Sequence, residues 1–278
     1  MIELDPGQFS LAIPLFERAS YGALGLGTLS GGHPGRVFVD RLPEPRAGLV
    51  CTRVGYYFLA GQPSPEQAQQ VARLLQATLV PWQKDTFENP EFLLFYDPPG
   101  WQDPLLPALE AYQPVLIHKL RHTLPGNTHS PVTGWQAGIP DGMRVAALSA
   151  ELVTAHAELR ETAGLFYGSV GGFIQNGLGV AVLDGDEVAC VCRTVFSAAG
   201  EAEIDILTAE PYRRRGLAFA AASACMEACL VHGIRPVWGC WPENTPSIHL
   251  ARRLGFTEVE SQPVCLWVVE DESPGNSA

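Results

Sequence analysis

The residues best suited to chemistry are three consecutive arginines, 213–215, at the junction between a predicted strand and a predicted helix. Residues 203–208 alternate β-branched and polar side chains, which is typical of a strand with one buried face. Pro211 ends that strand, and the small apolar residues after Gly216 predict a helix. The first N–H groups of a helix lack partners within it, and the helix dipole is positive there. The junction therefore predicts a phosphate site.

The type of phosphate site is narrowed by two motifs that the sequence lacks. Neither Gly-x4-Gly-Lys-Ser/Thr nor Gly-x-Gly-x-x-Gly occurs at the junction. What occurs is Arg213-x-x-Gly216-x-Ala218 after a strand, which resembles the acyl-coenzyme-A signature of the GNAT superfamily of N-acetyltransferases. Taken alone, these six residues fit a basic helix start on an ordinary surface equally well.

A second motif follows at the spacing that the same family shows. Residues 236–241 predict a strand, and Asn244-x-x-Ser247 precedes a short helix that ends at Gly255-Phe256. This stretch resembles the second GNAT motif, where the chain crosses beside the coenzyme. The closest resemblance is to the zwittermicin-A-resistance type of GNAT protein, and it covers residues 140–270 well but the first half only loosely.

The resemblance implies a fold class and a cosubstrate. The fold is α/β (α+β), with a mixed central sheet and flanking helices, and the cosubstrate is acetyl-CoA. In a GNAT fold two neighbouring strands part, and the pantetheine arm of the coenzyme lies between them. The residues implied to contact acetyl-CoA are Ile206, Leu207, Thr208, Arg213, Arg214, Arg215, Gly216, Leu217, Ala218, Asn244 and Ser247.

The implied reaction is acetyl transfer by direct attack of a primary amine of a small molecule on the thioester. Such a transfer needs a base for the amine and an acid for the leaving thiolate. Glu203 and Asp205 are the candidate bases, because residues two apart on a strand face the same side. Two neighbouring carboxylates can raise the pKa of one of them. Surface charges near a sheet edge explain this pair equally well.

The general acid is where the sequence departs from the family. Many GNAT proteins carry a tyrosine four residues beyond the Asn-x-x-Ser motif, and here that position is Ala251. Either His249 or Ser247 substitutes, or the thiolate leaves without a dedicated acid; a plain helix-surface role for His249 is the simpler interpretation. The alternative function is a catalytically inactive protein that binds or senses acyl-CoA. A cysteine-nucleophile transferase using Cys240 is disfavoured, because that residue reads as a strand residue.

Composition constrains the partners. The net charge is −12, from 18 basic and 30 acidic residues, and the pI is near 5.0. This balance argues against a nucleic-acid surface and fits either a cationic substrate or simple solubility. No apolar run reaches the ~20 residues of a membrane span, and the first residues lack a signal-peptide pattern. We expect a cytoplasmic protein without a membrane partner, and a homodimer is left open.

The cysteines predict neither disulfides nor a metal site. Their number, seven, is odd and their spacing shows no framework, which suits reduced thiols in a cytosol. Cys225, Cys229 and His232 share a helix face, but cysteines four residues apart are more often small core residues than metal ligands. No metal is expected.

The domain organisation predicted from these patterns has four parts. Residues 1–112 show a strand–strand–helix–strand rhythm without a phosphate turn, and they predict a smaller, degenerate GNAT-like half whose helix starts at a Ser64-Pro65 cap. Residues 113–141 form a crossing strand and linker, 142–270 the acetyl-CoA domain, and 271–278 a frayed tail. Within the third part, the glycine-rich residues 166–179 predict an irregular loop or lid.

Overall fold

The computed structural model describes residues 1–21, 23–126 and 133–270, excluding the side chains of Ala23 and Val259. The chain forms two compact units. Unit 1 contains Met1–His118 together with the stretch from Gln262 onward, and unit 2 contains Lys119–Ser261. The division falls within two strands, Val115–Thr123 and Thr257–Val268, and each of them begins in one unit and ends in the other.

Unit 1 is built on a mixed sheet with the strand order β1-β2-β3-β4-β5-β12. The strands are β1 (Ile2–Glu3), β2 (Gly35–Val39), β3 (Ala47–Thr52), β4 (Tyr56–Gly61), β5 (Glu91–Asp97) and the second part of β12 (Thr257–Val268). The helices are α1 (Ile13–Phe16), α2 (Ala23–Leu29), α3 (Pro65–Leu74), α4 (Val80–Lys84) and α5 (Gln102–Ala108). The strand β6 (Val115–Thr123) begins in unit 1 and continues into unit 2.

The core of unit 1 lies between its sheet and the helices that follow β4 and β5. Strands β3 to β5 carry near-continuous buried apolar side chains, because both faces of the sheet are covered. The rings of Phe92 of β5 and Trp267 of β12 stack in this core, with centroids 5.2 Å apart. Strands β4 and β5 are parallel and pair over five residues, Tyr56–Ala60 with Leu93–Asp97.

Within unit 2 the strand order is β6-β11-β10-β9-β8-β7, and the pairing is mixed. The strands after β6 are β7 (Met143–Ala147), β8 (Gly179–Asp184), β9 (Glu187–Ala198), β10 (Glu201–Thr208) and β11 (Arg235–Cys240). The helices are α6 (Ala150–Ala155), α7 (Ala157–Tyr167), α8 (Val170–Asn176), α9 (Leu217–Val231) and α10 (Thr245–Arg253).

The two faces of this second sheet bury different helices. The helix α9 carries mostly small, apolar side chains on all sides, and it packs against one face of the sheet through Ala221, Cys225 and Cys229. Helices α6 to α8 cover the other face around Tyr167 and Phe173. Alternation along β10 therefore directs its even-numbered apolar residues toward α9 and its odd-numbered carboxylates away from it.

The mixed α/β fold class is confirmed, and most predicted elements are present within one or two residues. Three details differ. The glycine-rich stretch at 166–179, predicted to be irregular, contains the end of α7 and the whole of α8, because Ser169 caps the second helix through the N–H of Gly172. Strand β3 was not predicted. The sequence pattern predicts a helix from the Ser64-Pro65 cap to about Leu79, whereas the helical run that starts at Pro65 reaches Lys84.

The predicted boundaries at 112, 141 and 270 stay predictions, and part of the predicted linker (127–132) and the predicted frayed tail (271–278) lie outside the described residues. Among the described helices, none is both long enough and apolar enough to cross a bilayer.

A buried histidine on β6 gives unit 2 a testable pH dependence. The side chain of His122 is fully buried, and burial lowers the pKa of its imidazole below the ordinary value of 6.5. At acidic pH the imidazole of His122 therefore binds a proton more readily in the unfolded chain than in the folded chain. The free energy of unfolding consequently falls as the pH drops below about 6.5.

We expect His122→Gln to weaken this dependence. In urea unfolding at about pH 7.5 and about pH 5.5, the loss of stability at the lower pH should be smaller in the variant than in the wild type. An equal loss in both proteins would show that His122 does not contribute to the acid sensitivity.

Candidate functional site

The central feature of the site is a fork between two parallel strands of unit 2. Strands β10 and β11 pair over three residues, Glu201–Glu203 with Arg235–Val237. In the part of the chain that the structure describes, this pairing ends there, although β10 continues to Thr208 and β11 to Cys240. We call the point where the strands part the fork. Backbone groups beyond it are left available to an extended ligand that adds to a strand edge.

The helix start beside this fork is open. Gly216 is the residue before α9, with φ 82°, and within the described ranges no side chain caps the first turn of that helix. A methyl group added to Gly216 would meet nothing within 4 Å. Arg214 is also left-handed, with φ 63°, so the turn is concave toward its N–H groups. This geometry fits a phosphate group.

The three arginines of the predicted phosphate turn immediately precede Gly216. Arg213, Arg214 and Arg215 are all exposed. The guanidinium of Arg215 lies 5.3 Å from the ring centroid of Tyr212, and Nε of Arg213 donates to the carbonyl of Thr208. The turn therefore presents three positive charges to solvent at the positive end of a helix dipole.

Tyr212 anchors this turn to the neighbouring hairpin. Its hydroxyl donates to Glu187 at 2.9 Å and to Asp184 at 3.2 Å, at the ends of β9 and β8. The hydrogen bond to Glu187 is the main cause that raises the pKa of Tyr212 to about 12. The phenol therefore stays protonated and keeps donating at neutral pH.

The corresponding junction of unit 1 has the opposite character. There, β4 and β5 stay paired over five residues. The helix α3 is capped by Ser64, whose hydroxyl accepts from the N–H of Gln67. Close by, the carboxylate of Asp40 accepts from two backbone N–H groups and from the side chain of Gln67. A carboxylate of the protein thus lies beside the start of α3, whereas the start of α9, its counterpart in unit 2, is open.

The two candidate bases each have a cationic partner. Three carboxylates of β10 form what we call the carboxylate row, which consists of Glu201, Glu203 and Asp205. Nζ of Lys119 donates to Glu203 at 2.6 Å, and Arg121 donates to Glu201 at 2.8 Å. Arg193 forms an ion pair with Asp205 at 3.2 Å. The side chain of Glu203 is 13% exposed and that of Asp205 is 46% exposed, so Asp205 is the more accessible carboxylate.

The ion pair of Lys119 and Glu203 lies at the fork itself. Glu203 is the last residue of β10 that pairs with β11. Lys119 extends from β6, the strand on the other side of β11, and its side chain passes over Gly239 of β11. A methyl group on Gly239 would lie 2.5 Å from Cε of Lys119 and 2.8 Å from Oε1 of Glu203. A side chain at this position would have to displace one or both members of the pair.

The residues predicted around α10 have local structural partners. Asn244 is the residue before the helix, and its side chain accepts from the N–H of Ser247. The hydroxyl of Ser247 accepts from the indole N–H of Trp238 at 2.9 Å. His249 is exposed, and Ala251, at the family's tyrosine position, is completely buried. Because β10 and β11 are parallel, the loops before α9 and α10 leave the same edge of the sheet.

The cysteines offer no activated thiol at this edge. Burial raises the pKa of the Cys240 thiol, which disfavours the thiolate that a nucleophile requires. Cys225 and Cys229 lie on the face of α9 that is buried in the core. Within the described ranges no group of three His, Cys, Asp or Glu side chains could hold a metal ion.

Sequence reasoning missed four residues of this site: Lys119, Arg121, Arg193 and Tyr212. Lys119 and Arg121 of β6 lie 84 and 80 positions before the carboxylates that they contact. Their alternation in β6, at positions 119 and 121, shows only that they share a face of that strand. Nothing in the local sequence identifies which carboxylates they contact.

We expect Gly239→Ala to separate Lys119 from Glu203 and to lower the free energy of unfolding by about 1–3 kcal/mol, because the added methyl overlaps both side chains. Gly164→Ala is the matched control: it adds a methyl in open space inside α7, where alanine favours the helix by up to about 1 kcal/mol. Urea unfolding measures both. A Gly239→Ala protein as stable as the wild type would contradict this packing.

Comparison with known proteins agrees with the fold. The chain is 28% identical over 239 residues to the uncharacterized N-acetyltransferase YdfB of Bacillus subtilis (strain 168), covering 81% of this chain and 83% of that protein. A GCN5-related N-acetyltransferase-like protein from Streptococcus suis 89/1591 superposes with a TM-score of 0.69 at 22% identity, over 94% of this chain and 98% of that one.

A tandem GNAT protein from the clavulanic acid biosynthesis pathway has a similar fold over 97% of both chains, with a TM-score of 0.58 and 14% identity. At these sequence identities the two solved structures show similarity of fold alone. Residues 14–265 match the sequence pattern of the family described as GNAT acetyltransferase. That match spans most of the chain, and the protein therefore belongs to the GNAT acetyltransferase family.

Proposed function

We propose that this protein is an N-acetyltransferase that moves an acetyl group from acetyl-CoA to a primary amine of a small molecule, by direct attack of the amine. One observation carries the proposal: the pairing of β10 with β11 ends after three residues, and the helix start beside the opening has no side-chain cap among the described residues. An extended arm that ends in a diphosphate matches both features at once. The paired strands and capped helix of unit 1 offer neither feature.

The proposed contacts of acetyl-CoA follow from this arrangement. Its pantetheine arm would meet the backbone of Ile206, Leu207 and Thr208 beyond the fork, where the side chain of Leu207 is 47% exposed. Its diphosphate would meet the N–H groups of the turn 214–218, and its negative charge would face the arginines. Asn244 and Ser247 border the same sheet edge and complete the proposed contacts.

The proposed base is Glu203, at the fork, with Asp205 beside it on the more exposed side. A base must lie where the amine and the thioester meet, and the arm of the coenzyme ends where the strands part. A proton held by Glu203 reaches Lys119 directly across their hydrogen bond. This contact makes Glu203 the better placed of the two carboxylates, although Asp205 is more accessible.

The proposal also covers the location of the protein, its subgroup within the family, its acceptor and its oligomeric state. All seven cysteines are buried free thiols, which suits a reducing, cytoplasmic location. The motifs of the second half motivate the zwittermicin-A-resistance type as the subgroup. A small-molecule acceptor and a homodimer are likewise proposals.

The direct test is an amine screen with release of free thiol as the readout. We expect thiol release from acetyl-CoA to depend on a primary amine in a panel of polyamines, amino sugars and amino acids, with the acetylated amine identified by mass. Coenzyme binding without thiol release for any amine would favour the alternative, an inactive acyl-CoA-binding or sensing protein.

Charge reversal tests the phosphate turn separately. We expect the double substitution Arg214→Glu and Arg215→Glu to weaken binding of acetyl-CoA at least about tenfold in calorimetry, because charge-assisted contacts to phosphate are replaced by repulsion. The matched control is Arg18→Glu with Arg73→Glu, two exposed arginines of unit 1, which changes the net charge equally. Equal weakening in both proteins would point to net charge and not to this turn.

A further inference from the structure

The proposed reaction lacks an acid for the departing thiolate, and α10 does not supply one. The family's tyrosine position is Ala251, which is buried. Ser247 already accepts a hydrogen bond from Trp238, and its hydroxyl proton is a poor acid near neutral pH. His249 lies on the exposed side of its helix. A donor of a proton at the fork has to come from another element.

Lys119 is a cation that lies at the fork. It reaches across β11 from β6, passes over Gly239 and places its ammonium 2.6 Å from Glu203. Its side chain is 5% exposed, so bulk water contributes little to its surroundings. The other two cations of this face, Arg121 and Arg193, are guanidinium groups that keep their protons in proteins. Lys119 is therefore the member of this group that can give up a proton.

Resting on the proposed function, we propose that Lys119 is the general acid of the transfer and forms a closed proton relay with Glu203. The neutral amine nitrogen attacks the thioester carbonyl carbon, a C–N bond forms as the π electron pair of the carbonyl moves to its oxygen, and one proton of the amine passes to the carboxylate of Glu203. The carbonyl then re-forms as the C–S bond breaks, the electron pair of that bond goes to sulfur, and the ammonium of Lys119 gives its proton to the thiolate.

The relay then resets within the protein. Glu203, now protonated, returns its proton to the neutral amine of Lys119 across the hydrogen bond that joins them. The net reaction consumes one neutral amine and one thioester and yields one amide and one thiol, without a proton from solvent. Before the proton moves, the ammonium also stabilises negative charge on sulfur in a site with little water.

The arrangement explains why Gly239 and the fork coincide. The lysine stem crosses β11 at the one residue without a side chain, and it crosses two residues beyond the last paired residue, Val237. An ion pair that only stabilised the sheet would not need to lie at the fork, whereas a proton relay for the proposed reaction would.

Two substitutions separate proton donation from charge. Lys119→Arg keeps a cation beside Glu203 but removes the exchangeable acid, because guanidinium stays protonated. Lys119→Met removes both. We expect each variant to lower kcat with acetyl-CoA about 100-fold, at an unchanged KM for acetyl-CoA, with the amine found in the screen. Arg121→Met is the matched control, since it removes the neighbouring ion pair with Glu201.

The decisive measurement changes the leaving group. A 4-nitrothiophenyl thioester of acetate releases a thiolate that is stable without a proton, so it does not need an acid. With this donor, we expect Lys119→Arg to come within about threefold of the wild type, while the control responds equally to both donors. Circular dichroism and calorimetry with coenzyme A establish that each variant folds and binds.

Two results would overturn the inference. Wild-type kcat in Lys119→Arg with acetyl-CoA would exclude Lys119 as the acid, and an equal loss with both donors would assign it a structural role only. If none of the amines tested led the wild-type protein to release thiol, that result would instead overturn the proposed function, and this inference with it.

Discussion

The site of unit 2 depends on backbone hydrogen bonds that two neighbouring strands do not make with each other. Strands β10 and β11 pair for three residues and then part, although both continue as strands. Backbone N–H and C=O groups inside a protein need partners, so parted strands favour a ligand that behaves like a strand. The open turn before α9 adds a place for a charged group at the end of such a ligand. Every other feature of the site lies along one of these two openings.

The two units use one structural plan with different results. In each, a strand leads through a turn into a helix and then into a parallel neighbouring strand. In unit 1 the strands remain paired, Ser64 caps the helix and Asp40 supplies negative charge near its start. A carboxylate that already accepts these donors leaves little attraction for a phosphate. The difference between the units is therefore local: it lies in strand pairing and in what occupies the start of one helix.

The charges near the fork are balanced in pairs and not arranged as an acidic patch. Each carboxylate of the carboxylate row has a lysine or arginine within ion-pair distance. The overall charge of −12 thus says little about the surroundings of an acceptor amine, because the acidic strand is neutralised where the chemistry is proposed. An amine that bound there by charge alone would have to compete with cations fixed in the fold. Recognition of the acceptor is better sought in shape and hydrogen bonds.

The sequence by itself determined the local elements: the alternation in 203–208, the turn at Gly216, the small-residue helix after it and the Asp-Gly hairpin at 184–185 all depend on residues near one another in the chain. The prediction of an irregular loop at residues 166–179 was wrong, because it rested on the glycine content and overlooked the cap at Ser169 that starts a helix. Only the tertiary structure decided that β10 and β11 part while β4 and β5 do not, and that Lys119 meets Glu203 across Gly239. Strand pairing and ion pairing join residues tens of positions apart, and local propensity carries no information about which of them will meet.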